Sequence, residues 1–272
     1  MSTIRAALLL SSALVMCGAG SAGAADLYGG SIKDPYLAAA PGASPSLYIR
    51  LDGGYGGHDD PVMVEDGIYD LVETGIEETW TLGGGIGRYF TPTLRGDVTY
   101  DHRFEADAHG SLADGAATLP GVRSFGVESD VVMFNVYYDF DRTARFSPYV
   151  GLGLGVTHNK TTEGTVSNEC GCVGTIEEGD ETHVAGAVMA GFTAKLRGGA
   201  TVVDGGTKDG PMTVDTGRAL YLDVGYRFLY LGETATGPMT MVTGAGTQVS
   251  KDPTVEDIHA HELRFGLRYD FR

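Results

Sequence analysis

Strict alternation of apolar and polar residues is the feature that most constrains what this chain can fold into. In RALYLDVGYRFLY, from Arg218 to Tyr230, every second residue from Leu220 onward is apolar, and the positions between them include Asp223 and Arg227. Successive side chains leave a strand on opposite faces, so this period predicts a β-strand with one apolar and one polar face. This segment alone does not establish which face points inward, so the pattern of the other segments is needed.

Seven further segments alternate in the same way. Most of them are ten residues or longer, which suits a tilted strand that crosses a bilayer better than a globular strand of about five or six residues. No amphipathic helical segment of comparable length separates them, so a βαβ fold is disfavoured. The eight predicted strands are 47–56, 79–90, 93–103, 130–140, 146–158, 182–196, 218–232 and 259–271.

The polar rows of these strands carry arginines and carboxylates in similar numbers. In lipid every backbone polar group needs a partner within the fold, so exported β chains cross a membrane only as closed barrels. The apolar rows then face lipid, and the charges pair inside a narrow lumen. We predict an all-β chain that forms a single eight-stranded antiparallel transmembrane up-and-down barrel. The residues expected to form interior ion pairs are Arg50, Asp52, Arg95, Asp97, Asp101, Asp139, Asp223, Arg227, Glu262, Arg264, Arg268 and Asp270.

The lengths of the connections predict the orientation of the barrel. The links at 91–92 and 141–145 are short, whereas those at 57–78, 104–129, 159–181 and 233–258 are long. Short periplasmic turns and long external loops are the arrangement of the outer membrane. The link at 197–217 departs from this rule because it is long where a tight turn is expected. We expect it to hold a small extra hairpin.

The N-terminus predicts export. A basic start, MSTIR, is followed by the apolar run AALLLSSALVMC and by small residues, so residues 1–24 are expected to be a cleaved signal peptide. Residues 25–46 are expected to form a periplasmic lead-in, and 47–272 the barrel.

A net charge of −17 argues against nucleic-acid binding. Cys170 and Cys172 could form a small strained disulfide or take part in a metal site.

Several segments resemble a known family. They are GRYFTPTLRGDVTY (87–100), NVYYDF (135–140), SPYVGLGLGV (147–156), LDVGYRF (222–228) and LRFGLRYDF (263–271). With these segments the chain resembles the small outer-membrane β-barrel proteins of Gram-negative bacteria, the opacity-like surface antigens within the OmpA/OmpX-type barrels. The resemblance implies a location in the cell outer membrane, among lipids and lipopolysaccharide. It also implies a C-terminal signal for the barrel-assembly machinery, carried by Phe265, Leu267, Tyr269 and Phe271.

No motif in the sequence predicts catalysis or a cofactor. The glycine runs GGGIG (83–87) and GLGLG (151–155) have the period of a strand, not the G-x-G-x-x-G spacing of a phosphate loop, and are expected to make room for bulky interior neighbours.

A cluster of histidines at the predicted external rim could bind a metal or haem, or could be a chance accumulation. It consists of His58, His158, His183, His259 and His261. The acidic segments 58–78 and 177–181 could bind divalent cations or form a solvated surface.

The sequence therefore predicts a non-catalytic surface protein of the outer membrane, with a structural, envelope-integrity or surface-interaction role and a lumen plugged by ion pairs. Three alternatives remain open. The first is a surface receptor that binds haem, a metal or a host ligand through its external loops. The others are a small porin and an enzyme that modifies lipids of the outer leaflet.

Overall fold

A computed structural model describes most of the chain from residue 47 onward. The described residues are 47–65, 69–112, 121–140, 145–168, 173–204, 211–243, 246–250 and 253–271. Within these ranges no helix is long and apolar enough to span a membrane. The predicted signal peptide, the predicted lead-in, Cys170 and Cys172 lie outside the described residues.

All regular structure in the described ranges is β-strand. The strands are β1 (Leu47–His58), β2 (Val62–Glu65), β3 (Tyr69–Asp70), β4 (Val72–Ile76), β5 (Thr79–Tyr89), β6 (Leu94–Leu112), β7 (Gly121–Asp139), β8 (Phe146–Thr161), β9 (Gly164–Asn168), β10 (Val173–Ile176), β11 (Gly179–Asp204), β12 (Pro211–Tyr230), β13 (Thr234–Ala235), β14 (Met239–Thr243), β15 (Gly246–Ser250), β16 (Thr254–Glu256) and β17 (His259–Phe271).

Eight of these strands close into an antiparallel barrel. The wall runs in the order β1, β5, β6, β7, β8, β11, β12 and β17, and β17 pairs back onto β1 from Leu47↔Phe271 to His58↔Ala260. Closure leaves no unpaired sheet edge in this wall, as a membrane requires. The predicted fold class, an eight-stranded antiparallel barrel, is confirmed.

The outward row of the barrel is apolar over a height that matches a bilayer. On β8 this row runs from Phe146 to Val156, and the next outward residue is His158. Ten residues span about 33 Å along a strand, or roughly 25 Å of bilayer thickness at a tilt of about 40°. Exposed aromatic side chains mark both borders of this belt. They are Phe90, Tyr138, Phe140, Phe146 and Tyr269 at one end, and Tyr55, Trp80, Tyr100, Tyr226 and Tyr230 at the other.

Barrel strands β6 and β7 extend well beyond their predicted ends. The expected ends at 103 and 130 are wrong: β6 and β7 stay paired as far as Leu112↔Gly121, beyond a bulge between Arg103 and Ala106. The bulge shifts the alternation by one residue, which hides the extension from a period-of-two pattern. The predicted long loop at 104–129 is therefore mostly a paired extension of the barrel wall. We call this end the loop end and the opposite one the turn end.

The connections at the loop end fold into a second structured layer, which we call the dome (the described residues of 59–78, 104–128, 162–178 and 231–258). β9, β10, β14 and β15 extend the barrel sheet sideways from β7, while β2, β3, β13 and β16 form a small separate sheet. The two sheets and the upper barrel strands enclose buried apolar side chains, including Met63, Leu71, Phe125, Ile176 and Ile258. Apolar residues interspersed among the carboxylates of 58–78 contribute to this core, which the sequence analysis did not predict.

The long connection at 197–217 continues the barrel wall at the turn end. β11 and β12 remain paired from Ala200↔Asp215 to Asp204↔Pro211, after register shifts between Lys195 and Arg197 and between Gly198 and Ala200. The expected extra hairpin is therefore present. It is an extension of two barrel strands, not an independent element.

Candidate functional site

Glycines on strands β5 and β8 make room for large side chains in the lumen. A Cβ added at Gly87 on β5 would lie 2.3 Å from the ring of Tyr48, and one added at Gly151 on β8 would lie 2.6 Å from the ring of Tyr137. Real Cβ atoms do not approach so closely, so only glycine fits at either position while the rings stay in place. The glycine runs thus serve the lumen, as the sequence predicted.

The half of the lumen nearer the turn end holds a first group of ion pairs, which we call the turn-side cluster. Arg50 lies 2.6 Å from Asp52 and 3.0 Å from Asp97, which connects β1 to β6. Arg95 and Arg268 complete the set, and the Arg95 guanidinium also stacks 4.0 Å from the ring centroid of Tyr137. The remaining pairs are Arg95–Asp139 at 3.1 Å, Arg268–Asp223 at 3.3 Å and Arg268–Asp270 at 3.5 Å.

The half nearer the loop end holds the loop-side cluster, in which three arginines surround two carboxylates. Asp101 on β6 accepts hydrogen bonds from Arg227 on β12 and Arg264 on β17, each at 2.7 Å. Glu262 lies 2.6 Å from Arg227 and also pairs with Arg103. The contacts of Asp101 with Arg227 and Arg264, and that of Glu262 with Arg103, cross the lumen between non-neighbouring strands, whereas Glu262 and Arg227 lie on the paired strands β17 and β12. Both carboxylates are almost completely buried, so each depends on its arginine partners for stability.

The two clusters leave little free space between them. Arg264 lies 3.8 Å from Asp52, so the clusters touch across the middle of the barrel. The cavity found there has a volume of about 20 Å³ and is bordered by Asn135, Tyr149 and Met189, among others. That volume holds about one water molecule. Among the described residues, the free space at this point between the clusters is therefore small.

Part of the lumen wall is apolar, which the sequence analysis did not predict. Val131 and Met133 on β7, Met189 on β11 and Leu229 on β12 point inward and are buried. They form one cluster with the dome core, so the apolar interior continues from the dome into the barrel. The sequence does contain a sign of this apolar interior, since in the run VVMF (131–134) the residues on both faces of the strand are apolar.

All twelve residues predicted to form interior ion pairs point into the lumen, and each contacts an oppositely charged partner. The sequence analysis missed Arg103, because the predicted strand ended there. It also missed the rings of Tyr48, Tyr137 and Tyr149, which fill the space between arginines. Their inward position follows from the same alternation that places Arg50 and Asp139 inside.

The structure does not bring the five predicted rim histidines together. His58 points inward, where its Nε2 lies 2.9 Å from the Arg103 guanidinium, and His183 also faces the lumen mouth. His158, His259 and His261 are on the outward rows. In the described ranges no group of three potential metal-ligand atoms within 4.8 Å contains two histidines. His58 lies opposite Ala260 on the neighbouring strand, but its side chain faces the lumen, whereas those of His259 and His261 face outward.

His259 and His261 belong instead to an aromatic group on the outer surface. His259 stacks on Phe228 with ring centroids 5.4 Å apart. His261 contacts the Tyr226 hydroxyl at 2.5 Å through Nδ1 and Asp59 at 3.1 Å through Nε2. Both ring nitrogens of His261 therefore already have partners. This group lies at the loop-end border of the apolar belt, where amphipathic rings suit the lipid headgroup region.

His183 is part of a different group at the mouth of the lumen. Its Nε2 lies 3.0 Å from Glu181 and its Nδ1 lies 3.8 Å from Glu233. The three side chains offer ligand atoms that all lie within 4.8 Å of one another. Asn159 donates to the backbone oxygens of Leu231 at 2.8 Å and Glu233 at 3.0 Å, which fixes the segment that carries Glu233.

The C-terminal residues predicted to signal assembly lie on the outward row of the closing strand. Phe265, Leu267 and Tyr269 are exposed at the belt, and Phe271 is half-buried at its turn-end border. β17 is the strand that pairs with both β12 and β1. Phe265, Leu267 and Tyr269 are therefore available to lipid in the closed barrel.

A closed barrel with an apolar outer belt, a charged and filled lumen and a structured dome defines a small outer-membrane β-barrel protein of the Gram-negative type. Its apolar outer surface can be satisfied only by hydrocarbon, and its closed wall is the β solution for crossing it. The chain is thus a protein of the outer membrane, in contact with lipid.

Comparisons with known proteins give distant likenesses. No family model matches the chain. An uncharacterized protein of Brucella abortus is 26% identical over 303 residues, which cover 96% of this chain and 98% of the relative. Among solved structures, the outer-membrane protein OprG of Pseudomonas aeruginosa has a TM-score of 0.47 at 12% identity, over 83% of this chain and 96% of OprG. Neisserial surface protein A has a TM-score of 0.40 at 15% identity, over 82% and 95% of the two chains.

Proposed function

We propose that the protein is a non-catalytic component of the cell envelope, whose plugged barrel anchors the dome at the cell surface. The observation that carries this proposal is the filled lumen. Two contacting ion-pair clusters occupy the barrel, and the apolar core of the dome continues into its upper half. Opening a path would require separating buried charge pairs, which costs about 3–5 kcal/mol for each broken pair.

The envelope role can be tested with a deletion strain. Loss of the protein is expected to increase entry of a hydrophobic fluorescent dye through the outer membrane, and the wild-type gene is expected to restore the barrier. Unchanged dye entry in the deletion strain would contradict a role in envelope integrity. Mass spectrometry of lipid A from the same strain addresses the enzyme alternative, since an altered acylation pattern would contradict a non-catalytic role.

The plugged lumen distinguishes this proposal from a small porin. The mature chain, reconstituted in planar bilayers, is expected to give no steady conductance, because the cavity between the clusters holds about one water molecule. A stable open level in most insertions would contradict the proposal. Heat-dependent mobility of the same preparation on a denaturing gel verifies that the inserted protein is a folded barrel.

A second candidate function is metal binding at the lumen mouth, which Glu181, His183 and Glu233 favour. An imidazole and two carboxylates suit Zn²⁺ better than Ca²⁺ or Mg²⁺, which prefer oxygen ligands alone. The hydrogen bond that Asn159 donates to the backbone oxygen of Glu233 fixes this part of the chain, which supports a site of fixed geometry. In the described part of the chain, this is the group of three His, Cys, Asp or Glu side chains whose potential ligand atoms lie within 4.8 Å of one another, which supports it over the acidic segments as a whole.

Calorimetric titration of the folded protein with Zn²⁺ tests this candidate. His183→Ala is expected to abolish the binding heat, whereas His158→Ala is expected to preserve it. His158 is a suitable control because it lies on the outward row of β8, where it hydrogen-bonds Thr182 at 3.0 Å, whereas His183 faces the lumen side of the wall. Equal titrations for wild type and His183→Ala would exclude the site.

A further inference from the structure

Three exposed arginines lie on the outward side of the barrel wall, at the border of the apolar belt nearest the turn end. They are Arg88 on β5, Arg197 on β11 and Arg218 on β12, and we call them the arginine border. The Arg88 guanidinium lies 5.5 Å from the ring centroid of Phe90, one of the aromatic residues at this end of the belt. Within the described residues, none of the three arginines forms an ion pair. This border therefore carries positive charge that no described carboxylate neutralises.

A β-bulge turns Arg197 outward. On β11 the odd-numbered residues up to Lys195 belong to the lumen side, and Lys195 lies opposite Tyr221 on the inward row of β12. The register then shifts by one residue, so that Arg197 lies opposite Leu220, which belongs to the outward row. Directly opposite residues of two paired strands point to the same side of a sheet. The bulge at Leu196 therefore moves the arginine from the lumen side to the lipid side, as bulges commonly re-aim a side chain.

The bulge also brings Arg197 close to Arg218. Arg218 lies two residues before Leu220 on β12, and the Cα atoms of such a diagonal pair are about 7–8 Å apart. Two guanidinium groups at this separation repel each other, and more strongly beside hydrocarbon than in bulk water. A bound anion removes this repulsion, and the planar fork of a guanidinium fits phosphate oxygens. The pair is therefore suited to an anionic group such as a phosphate.

The wall beside this pair is apolar. Phe271 on β17 lies beside Arg218 on β12. Leu47 on β1 pairs with Phe271 on one side and with Arg88 on the other, so the row from Arg218 to Arg88 crosses four strands and spans about 14 Å. The outward rows of β1, β5, β12 and β17 contain no carboxylate among the described side chains. The apolar and aromatic side chains along this part of the wall are Leu47, Ile49, Leu220, Tyr269 and Phe271.

The charge and the apolar wall together define the class of ligand. We propose that Arg197 and Arg218 bind the phosphate of an anionic glycerophospholipid, whose acyl chains lie along the apolar side chains between Arg218 and Arg88. The apolar neighbours favour an anion that carries acyl chains over a soluble anion. A zwitterionic lipid binds less tightly, because its headgroup also brings a cation to the arginines. The connection lengths predict that the turn end faces the periplasm, so the ligand is a phospholipid of the periplasmic leaflet.

Quenching of tryptophan fluorescence by brominated lipids tests the proposal with the full mature chain in phosphatidylcholine vesicles. Trp80, the single tryptophan, lies at the loop-end border of the belt and reports on lipid there. Trp80→Phe with Tyr269→Trp moves the reporter beside the arginine border. Brominated phosphatidylglycerol is expected to bind at position 269 about fivefold more tightly than brominated phosphatidylcholine. At Trp80 no such preference is expected. Both leaflets of these vesicles have the same composition, so the orientation of the barrel does not affect the result.

Replacement of the arginines separates this site from the general charge of the surface. Arg197→Gln with Arg218→Gln, in the chain with the reporter at position 269, is expected to reduce the preference to less than about twofold. Lys160→Gln removes an exposed cation at the loop end, where Lys160 lies 3.4 Å from Glu128, and is the matched control. It is expected to leave the preference unchanged. Inorganic phosphate, compared with chloride at equal ionic strength, is expected not to displace the lipid, because it makes no contact with the apolar wall.

Four outcomes would each overturn the proposal. The first two are the absence of a preference for phosphatidylglycerol at position 269 and an equal preference at Trp80. The others are a preference that survives Arg197→Gln with Arg218→Gln and displacement of the lipid by inorganic phosphate. The heat-dependent gel shift verifies the fold of each variant, and the comparison of the two reporter positions keeps both arginines in place.

Discussion

Asp101 and Arg264 join strands β6 and β17 across the lumen through both oxygens of the carboxylate. Oδ1 accepts from the guanidinium at 2.7 Å and Oδ2 accepts at 3.2 Å, while Arg227 shares Oδ2 at 2.7 Å. Two planar forked groups fit each other in this way, which makes the pair directional as well as charged. β6 and β17 are separated by two strands in the barrel wall, so this contact ties together parts of the wall that do not pair directly.

Removal of Asp101 is expected to destabilise the barrel strongly. Asp101→Ala leaves Arg227 and Arg264 buried with fewer partners, and breaking a buried pair costs about 3–5 kcal/mol. Urea unfolding in lipid vesicles, followed by the fluorescence of Trp80, measures the change. Asp59→Ala, which removes an exposed partner of His261, is the control and is expected to cost less than about 1 kcal/mol.

A double-mutant cycle separates the pair from its neighbours. Asp101→Ala together with Arg264→Ala is expected to be less destabilising than the sum of the single changes, because the double variant leaves one buried charge fewer without its partner. Strict additivity of the two changes would show that the contact does not stabilise the barrel.

The glycines that face the lumen are expected to be intolerant of larger residues. Gly151→Val places its side chain against the Tyr137 ring, so it should lower the free energy of unfolding by about 1–3 kcal/mol or more. Gly186→Val is the matched control, since a Cβ at Gly186 meets no other atom within 4 Å. The same urea unfolding experiment compares them. Equal stability of the two variants would contradict the packing role of Gly151.

The C-terminal aromatic residue is expected to matter for assembly more than for the folded barrel. Phe271→Ala should reduce the amount of heat-modifiable protein in outer-membrane fractions. Phe146→Ala removes a lipid-facing aromatic from the same border of the belt, on β8, and should reduce it less. Quantitative immunoblotting of both variants measures the difference. An equal loss of heat-modifiable protein in the two variants would show that the aromatic belt, and not the C-terminal signal, determines assembly.

The barrel could be predicted from the sequence because its signal is local and repeated. The period of two at Leu220–Tyr230 assigns each residue to a face, and the same rule places Arg50, Asp139 and Arg268 in the lumen. Which charges pair could not be predicted in this way. Asp101 meets Arg264 and Arg227 only because the strand register brings them to one height, and register depends on the whole closed wall.

The dome could not be predicted from the same signal. Its strands are two to five residues long, too short for a period to be recognised, and the bulge after Arg103 interrupts the alternation of β6. Met63, Leu71 and Ile76 stand among carboxylates in the sequence, so the pattern of segment 58–78 indicated a cation-binding or solvated surface and gave no sign of a buried core. Their burial arises from contacts with residues more than a hundred positions away, such as Val255 and Ile258.

The placement of the apolar belt is the central claim, and spin-label accessibility measures it most directly. Labels at Phe134 and Leu152, on the outward rows of β7 and β8, are expected to collide with dissolved oxygen and to be shielded from a water-soluble nickel complex. Labels at Val173 and Val249, on the dome, are expected to show the reverse. Greater exposure of Phe134 and Leu152 to the nickel complex than to oxygen would contradict a barrel that turns its apolar rows to lipid.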